Sequence, residues 1–278
     1  MTGVKKERLT IKIGCCVNMV AEDAAGIGFD RIKTLAKLGY DYVELPLAQM
    51  MTLDDAAFKE VEGLVRDSGI PCLACNNFFP ATMRLTGPVP TDDCEVKAYV
   101  IQALDRALRI GAKTIVFGSS GAKNIPEGFA YQAAWDQIVL ILQMVDECIE
   151  GRDIRIAIEP LNKKESNVIM TAREGLELVK AVERRYIRLL IDFYHLSMEK
   201  EDISIICDAA DYLQHMHLAN PEGRIWPKYG DGTDYASFIN ALQKAGYNGC
   251  ISIEAFSTDF EADAKEALHV IRRNINAK

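Results

Sequence analysis

Four short apolar runs in the second half of the chain each end on a side chain that can bind a metal ion or move a proton. The runs are IAIEP, LLIDFYH, HMHLAN and ISIEAF, and the polar groups are Glu159, Asp192, His217 and Glu254. A carboxylate inside an apolar run is costly unless it is paired or coordinates something. Any one of these acids alone could be a buried ion pair, but three acids and a histidine on four successive runs point to a shared centre. Two Glu, one Asp and one His form a mixed oxygen and nitrogen donor set. That set suits a divalent ion such as Mn²⁺, Co²⁺ or Mg²⁺, whereas cysteine-rich sites favour zinc.

Runs of this length, separated by helix-like segments, read as buried parallel strands. Such groups meet if the strands close into a (β/α)8 barrel, because the carboxyl ends of all its strands face one mouth. The rest of the chain supplies the missing units. Strands are expected over Ile11–Cys16, Tyr40–Leu45, Ile70–Asn76, Thr114–Gly118, Ile154–Glu159, Ile187–Phe193, Leu213–Leu218 and Gly249–Glu254. Helices are expected over Gly26–Leu38, from a Thr52 cap to Val65, Asp93–Ile110, Phe129–Glu150, Thr171–Glu183, Glu201–Ala209, Tyr235–Ala245 and Asp259–Ile275. The segment Phe78–Asp93 is rich in Pro and Gly, lacks periodicity and reads as a lid or binding loop at the mouth. No GxGxxG follows the first strand, which argues against a dinucleotide fold. No composition shift marks a boundary, so residues 1–278 read as a single barrel domain.

Of the four histidines, His215 and His217 share a strand face. His217 lies nearer the mouth and is the candidate ligand; His215 would sit deeper, as a core histidine. His195, just past Asp192, could contact substrate or orient a ligand. His269 falls on the last helix, at the surface. Glu44, Asn18, Asn76 and Asn77 end the first strands, where each could hydrogen-bond a polyol or merely cap a turn. Trp226 reads as loop packing, and Phe78 and Phe79 as walls of the pocket.

The net charge of −8, with no basic block, makes nucleic acid and anionic membrane poor partners. The amino terminus MTGVKKERLT lacks the apolar stretch of a secretory signal, and no run approaches the ~20 residues of a membrane span, so a cytoplasmic protein is expected. The eight cysteines, including Cys72 and Cys75 at CxxC spacing, read as reduced and unpaired.

The runs EPLNKKESN, IDFYH, HMHLAN and ISIEAF, with GYDYVELPL and FGSSGAKNIPEGF, resemble the sugar phosphate isomerase/epimerase superfamily with its xylose-isomerase-like barrel, nearest the D-tagatose/D-psicose 3-epimerase branch. The resemblance spans essentially the whole chain. It implies that Glu159, Asp192, His217 and Glu254 bind Mn²⁺ (or Co²⁺ or Mg²⁺) and that Glu159 and Glu254 are the catalytic acid/base pair. It implies that Glu165, His195 and Arg224 bind a small sugar, although Arg224 stands one residue later than the family spacing. It further implies a homo-oligomer, a dimer or tetramer. The activity implied is epimerisation or isomerisation of a ketose or related sugar through an enediolate. The alternative is a lyase or dehydratase of the same superfamily, of the inosose-dehydratase or C-glycoside-cleaving kind. An endonuclease-like barrel would want more histidines and a basic face. The SSGAK loop is a weak phosphate candidate.

Overall fold

The apolar runs form eight parallel strands in a computed structural model, which describes residues 10–277. They are β1 (Lys12–Cys15), β2 (Val43–Pro46), β3 (Cys72–Asn76), β4 (Thr114–Phe117), β5 (Arg155–Ile158), β6 (Ile187–Asp192), β7 (Leu213–Leu218) and β8 (Cys250–Ile253). The amino-terminal stretch read above for a secretory signal lies, up to Leu9, outside the described residues.

Each strand pairs with the next from β2 to β8, and β8 returns to β1 in full register, Lys12 opposite Cys250 through Cys15 opposite Ile253. The ring is nearly closed. Between β1 and β2 there is only an isolated bridge, Cys16 to Glu44, with Asp41 N donating to Ile13 O below it at 2.9 Å. Helices occupy the crossovers, and their apolar faces pack on the outside of the ring, where most of the core lies. Inside the ring Val116, Ala157 and Leu190 form a small apolar plug. The opposite wall is polar: Tyr42 OH lies 2.7 Å from Ser252 Oγ, and Ser252 Oγ donates to Glu44 Oε2 at 2.5 Å. Gly14 makes room for the Tyr42 ring, which any Cβ there would strike.

Three local expectations shift. The helix expected from Thr52 runs over Asp55–Ser68 and is capped by Asp54, whose Oδ1 accepts from Ala57 N at 2.8 Å. Thr52 instead donates its hydroxyl to Gln49 O at 2.8 Å, closing an unforeseen short helix, Leu47–Met51. The helix expected over Glu201–Ala209 shrinks to Ile205–Asp208. The strand expected to reach Phe193 stops at Asp192, because Asp192 Oδ1 accepts from Tyr194 N at 2.8 Å and starts the helix Phe193–Met198. Thr171 opens its expected helix as the cap, accepting from Glu174 N at 3.1 Å.

Candidate active site and metal centre

Glu159 and Glu254 each follow the last residue of their strand, β5 and β8, while Asp192 ends β6 and His217 is the penultimate residue of β7. Their ligand atoms all lie within 4.8 Å of one another, and all four residues are buried. His217 Nδ1 is 2.8 Å from Glu159 Oε1 and 3.5 Å from Glu254 Oε2. Its other nitrogen, Nε2, is 3.1 Å from Glu44 Oε1, with Cys16 Sγ at 3.7 Å. A carboxylate beside Nε2 favours the proton there and turns the Nδ1 lone pair toward the acids.

Three buried carboxylates this close repel one another unless a cation or protons join them. Two atoms expose the deficit: Asp192 Oδ2 and His195 Nε2 are buried without hydrogen-bond partners, 3.6 Å apart. The donor set and these orphaned atoms fit a divalent cation held by Glu159, Asp192, His217 and Glu254.

Electrostatics divide the acids. Burial raises the Asp192 carboxyl to about 7 and also raises Glu159. Glu254 is equally buried, but Arg224 and His217 overcome the burial and hold it down at about 2. Burial alone would lower His217; the charges of Cys16, Glu44, Glu254 and Glu159 raise it instead. Burial lowers His195 to about 3, so its ring is neutral. That ring is fixed by Asn162, whose backbone N donates to His195 Nδ1 at 3.1 Å and whose Nδ2 lies 2.8 Å from it.

Arg224 sits over the acids from the loop after β7. One guanidinium nitrogen contacts Glu254 Oε2, the other reaches Glu165 Oε2 at 3.2 Å, and the group lies 4.8 Å over the Tyr194 ring. Its left-handed backbone, φ 51°, aims the side chain inward despite the shifted spacing. Glu159, Glu254, Glu165 and Arg224 all line a cleft of about 410 Å³ at the mouth. Asp192, His195 and His217 stand behind them, so all seven residues singled out in the sequence converge.

Other expectations divide. Glu44 does not reach a ligand: it is fully buried, bonding His215 Nε2 at 2.8 Å and His217, so it is a support for the histidine. His215 is the satisfied core histidine foreseen. Trp226 is fully buried, donating Nε1–H to Ala255 O at 3.1 Å, and Phe78 is buried too, whereas Phe79 lines the cleft. The segment after β3 lies at the mouth: Phe79, Pro80 and Ala81 line the cleft, and Arg84 pins it to Gly121 O and Asn124 O at 2.7 and 2.5 Å. All eight cysteines are free.

Two residues escaped the sequence reading. Gly118 lies against Glu159, and a Cβ there would collide with Oε2. Lys123 is fully buried, donates Nζ–H to Gly118 O at 2.5 Å, and is lowered by burial to about 7. Its amine is buried and turned to Gly118 O, away from any phosphate at the mouth, so the SSGAK loop offers no exposed cation. Gly118 carried a faint signal, a glycine directly after the TIVF run; a lone lysine in a loop carried none.

Eight parallel strands with a cluster of acids and an imidazole at the carboxyl ends of four of them define a barrel with a candidate metal site. Residues 32–274 match the xylose isomerase-like TIM barrel family, and the chain belongs to it. The chain is 26% identical over 235 residues to the D-psicose 3-epimerase of Ruminiclostridium cellulolyticum, covering 81% of this chain and 77% of that one. It is 26% identical over 276 residues to a ketose 3-epimerase of Arthrobacter globiformis, covering 95% and 90%. Among solved structures it superposes on a D-psicose 3-epimerase with D-tagatose from Clostridium cellulolyticum H10 with a TM-score of 0.83, at 22% identity over 96% of this chain and 100% of that one.

Proposed function

We propose that this protein is a metal-dependent sugar epimerase that moves a proton at the carbon next to the carbonyl of a ketose. The observation that carries the reading is the buried cluster of Glu159, Asp192, His217 and Glu254 beneath an open polar cleft. Those four residues would hold a divalent cation, Mn²⁺ first and Co²⁺ or Mg²⁺ next. When bound, it supplies polarisation of the carbonyl and neutralisation of the charge that develops on deprotonation.

Glu159 and Glu254 come from β5 and β8 and approach from different sides of the ring. One glutamate, as the carboxylate, accepts the proton from the carbon on one face; the other, starting as the carboxylic acid, donates its proton to the opposite face, which inverts the centre and leaves the two side chains with exchanged protonation states. Neither step needs another co-reactant. His195 Nε2, buried without a partner, is placed to hydrogen-bond a substrate oxygen. Arg224 holds Glu254 ionised and, with Glu165, closes the rim of the cleft. The similarity to ketose 3-epimerases supports C3 of a ketose as the reacting carbon.

The test is solvent deuterium at C3 of ketohexoses incubated with the Mn²⁺-loaded protein in D2O, read by NMR. Glu254→Gln is expected to cut the wash-in by about 10²–10⁴-fold. No wash-in with metal bound would sink this reading and favour the lyase class. The chain is further read as a single barrel domain acting in the cytoplasm as a homo-oligomer; sedimentation of the metal-loaded protein as a monomer would refute the last point. No helix among the described residues is long and apolar enough to cross a membrane.

A further inference from the structure

The acids and Arg224 occupy only one side of the cleft. The other side is delivered by the loops after β1 to β4 and carries neutral groups: Asn18, Gln49, Asn77 and Ser119. Each is held by a hydrogen bond that engages one of its polar functions and leaves another unengaged. Asn76 Nδ2 donates to Asn18 Oδ1 at 2.8 Å, leaving the Asn18 amide N–H groups for a ligand. Asn77 Nδ2 donates to Gln49 Oε1 at 3.4 Å, leaving the Gln49 amide N–H groups and the Asn77 oxygen. Phe79 N donates to Ser119 Oγ at 3.0 Å, leaving the hydroxyl proton.

The backbone beneath this side is strained. Among the described residues six non-glycines have positive φ, and Asn77 at 51° and Ser119 at 24° are two of them. With Arg224 at 51°, half of the set lines this one cleft. Such conformations are costly for residues with a side chain and cluster where a structure holds side chains for a ligand. The polar chemistry offered here is amide and hydroxyl, without charge, which matches sugar hydroxyls and supplies no cation for a phosphate or carboxylate. The cleft, at about 410 Å³, lies within the ~300–1,000 Å³ of sites that hold drug-sized ligands, well above what one six-carbon sugar fills.

We infer that the side built by Asn18, Gln49, Asn77 and Ser119 is a second hydroxyl-binding subsite, and that the substrate is a keto sugar bearing a further sugar unit, a keto-glycoside or ketose disaccharide. This inference rests on the epimerase reading above for which end of the substrate reacts. Glu159, Glu254, Glu165 and Arg224 take the keto end, and the added unit lies across the mouth against the amides.

The test compares the Mn²⁺-loaded protein on D-fructose with 4-O-, 5-O- and 6-O-glucosyl-fructose, following deuterium entry at C3. At least one disaccharide is expected to show a kcat/KM roughly tenfold or more above that of fructose, as one or two extra hydrogen bonds would give. Asn18→Leu combined with Gln49→Leu is expected to collapse that ratio toward one, chiefly through KM. The single variants Asn18→Ala and Gln49→Ala replace the pair if it fails to fold. Equal kcat/KM for all four sugars overturns the subsite and leaves the epimerase reading standing. Absence of exchange on every sugar removes the epimerase reading instead, and titration calorimetry then decides the subsite. Tighter binding of a disaccharide than of fructose, lost in the variants, upholds it; equal or undetectable binding of all four sugars overturns it.

Discussion

Strands β5 to β8 end on Glu159, Asp192, His217 and Glu254, whereas β1 to β4 deliver Asn18, Gln49, Asn77 and Ser119 to the same cleft. The first half carries charge that the fold must compensate; the second carries dipoles that the fold can leave facing water. The contrast extends below the mouth. Glu44, Gly118 and Lys123 come from β2, from the end of β4 and from the loop after it, and none of them lines the reacting centre directly as an acid or base. Glu44 bonds His217 of the other half and Gly118 leaves the space that Glu159 occupies, whereas Lys123 bonds Gly118 O within its own half, so the β1–β4 side also supports the acids and imidazole opposite.

Three changes probe that division. Gly118→Ala places a methyl group against Glu159 Oε2. A misplacement of ~1 Å at the reacting groups costs on the order of 10²-fold, so kcat should fall by about that factor with a smaller change in KM. Steady-state kinetics that match the wild type would mean that Glu159 is not held where the reading needs it. Glu44→Gln keeps the shape but removes the charge beside His217 Nε2, and metal affinity is expected to drop about 10–100-fold, measured by titration calorimetry. An unchanged affinity would separate the two halves energetically.

The smallest effect is expected at Lys123. It titrates near 7 in the folded protein, against 10.5 as its ordinary value. Between those values the unfolded chain binds more protons, so this group makes stability rise with pH and weighs against the fold below about 7. Lys123→Met should therefore raise the melting temperature at pH 7, and the difference from wild type should shrink toward pH 10. A difference independent of pH would show that the ammonium is not desolvated in the folded protein.

The same contrast explains what could be read from the sequence. Charges set in apolar strands violate the expected pattern, so Glu159, Asp192, His217 and Glu254 stood out, and the barrel followed from the alternation that carries them. Glu44 gave the same signal within YDYVEL, but an acid at a strand end does not say whether it faces a ligand or a neighbouring imidazole. That depended on the register of β2 against β3, which shifts between Val43 and Glu44. Gln49, an ordinary amide in the short helix after β2, carried no signal, and Ser119 drew notice only as part of the SSGAK loop. The turn at Asp192 was hidden because IDFY reads as continuous strand until the carboxylate is seen accepting from Tyr194 N. His195 thereby falls in the first helical turn, back over Asp192, where its spacing of three becomes a contact.

The near-closure of the ring carries a consequence for how the protein is made. β1 meets β2 through one bridge and finds its full ladder only in β8. A chain growing from the ribosome therefore keeps the edge of β1, with Ile13 and Cys15, unsatisfied until residues 250–253 have emerged. Such an edge is open to pairing with other chains while it waits. Glu254, the last of the three acids and the imidazole of the candidate metal site to be synthesised, is the next residue after that strand. Sealing of the barrel and assembly of the buried acid cluster thus fall at the same moment of synthesis.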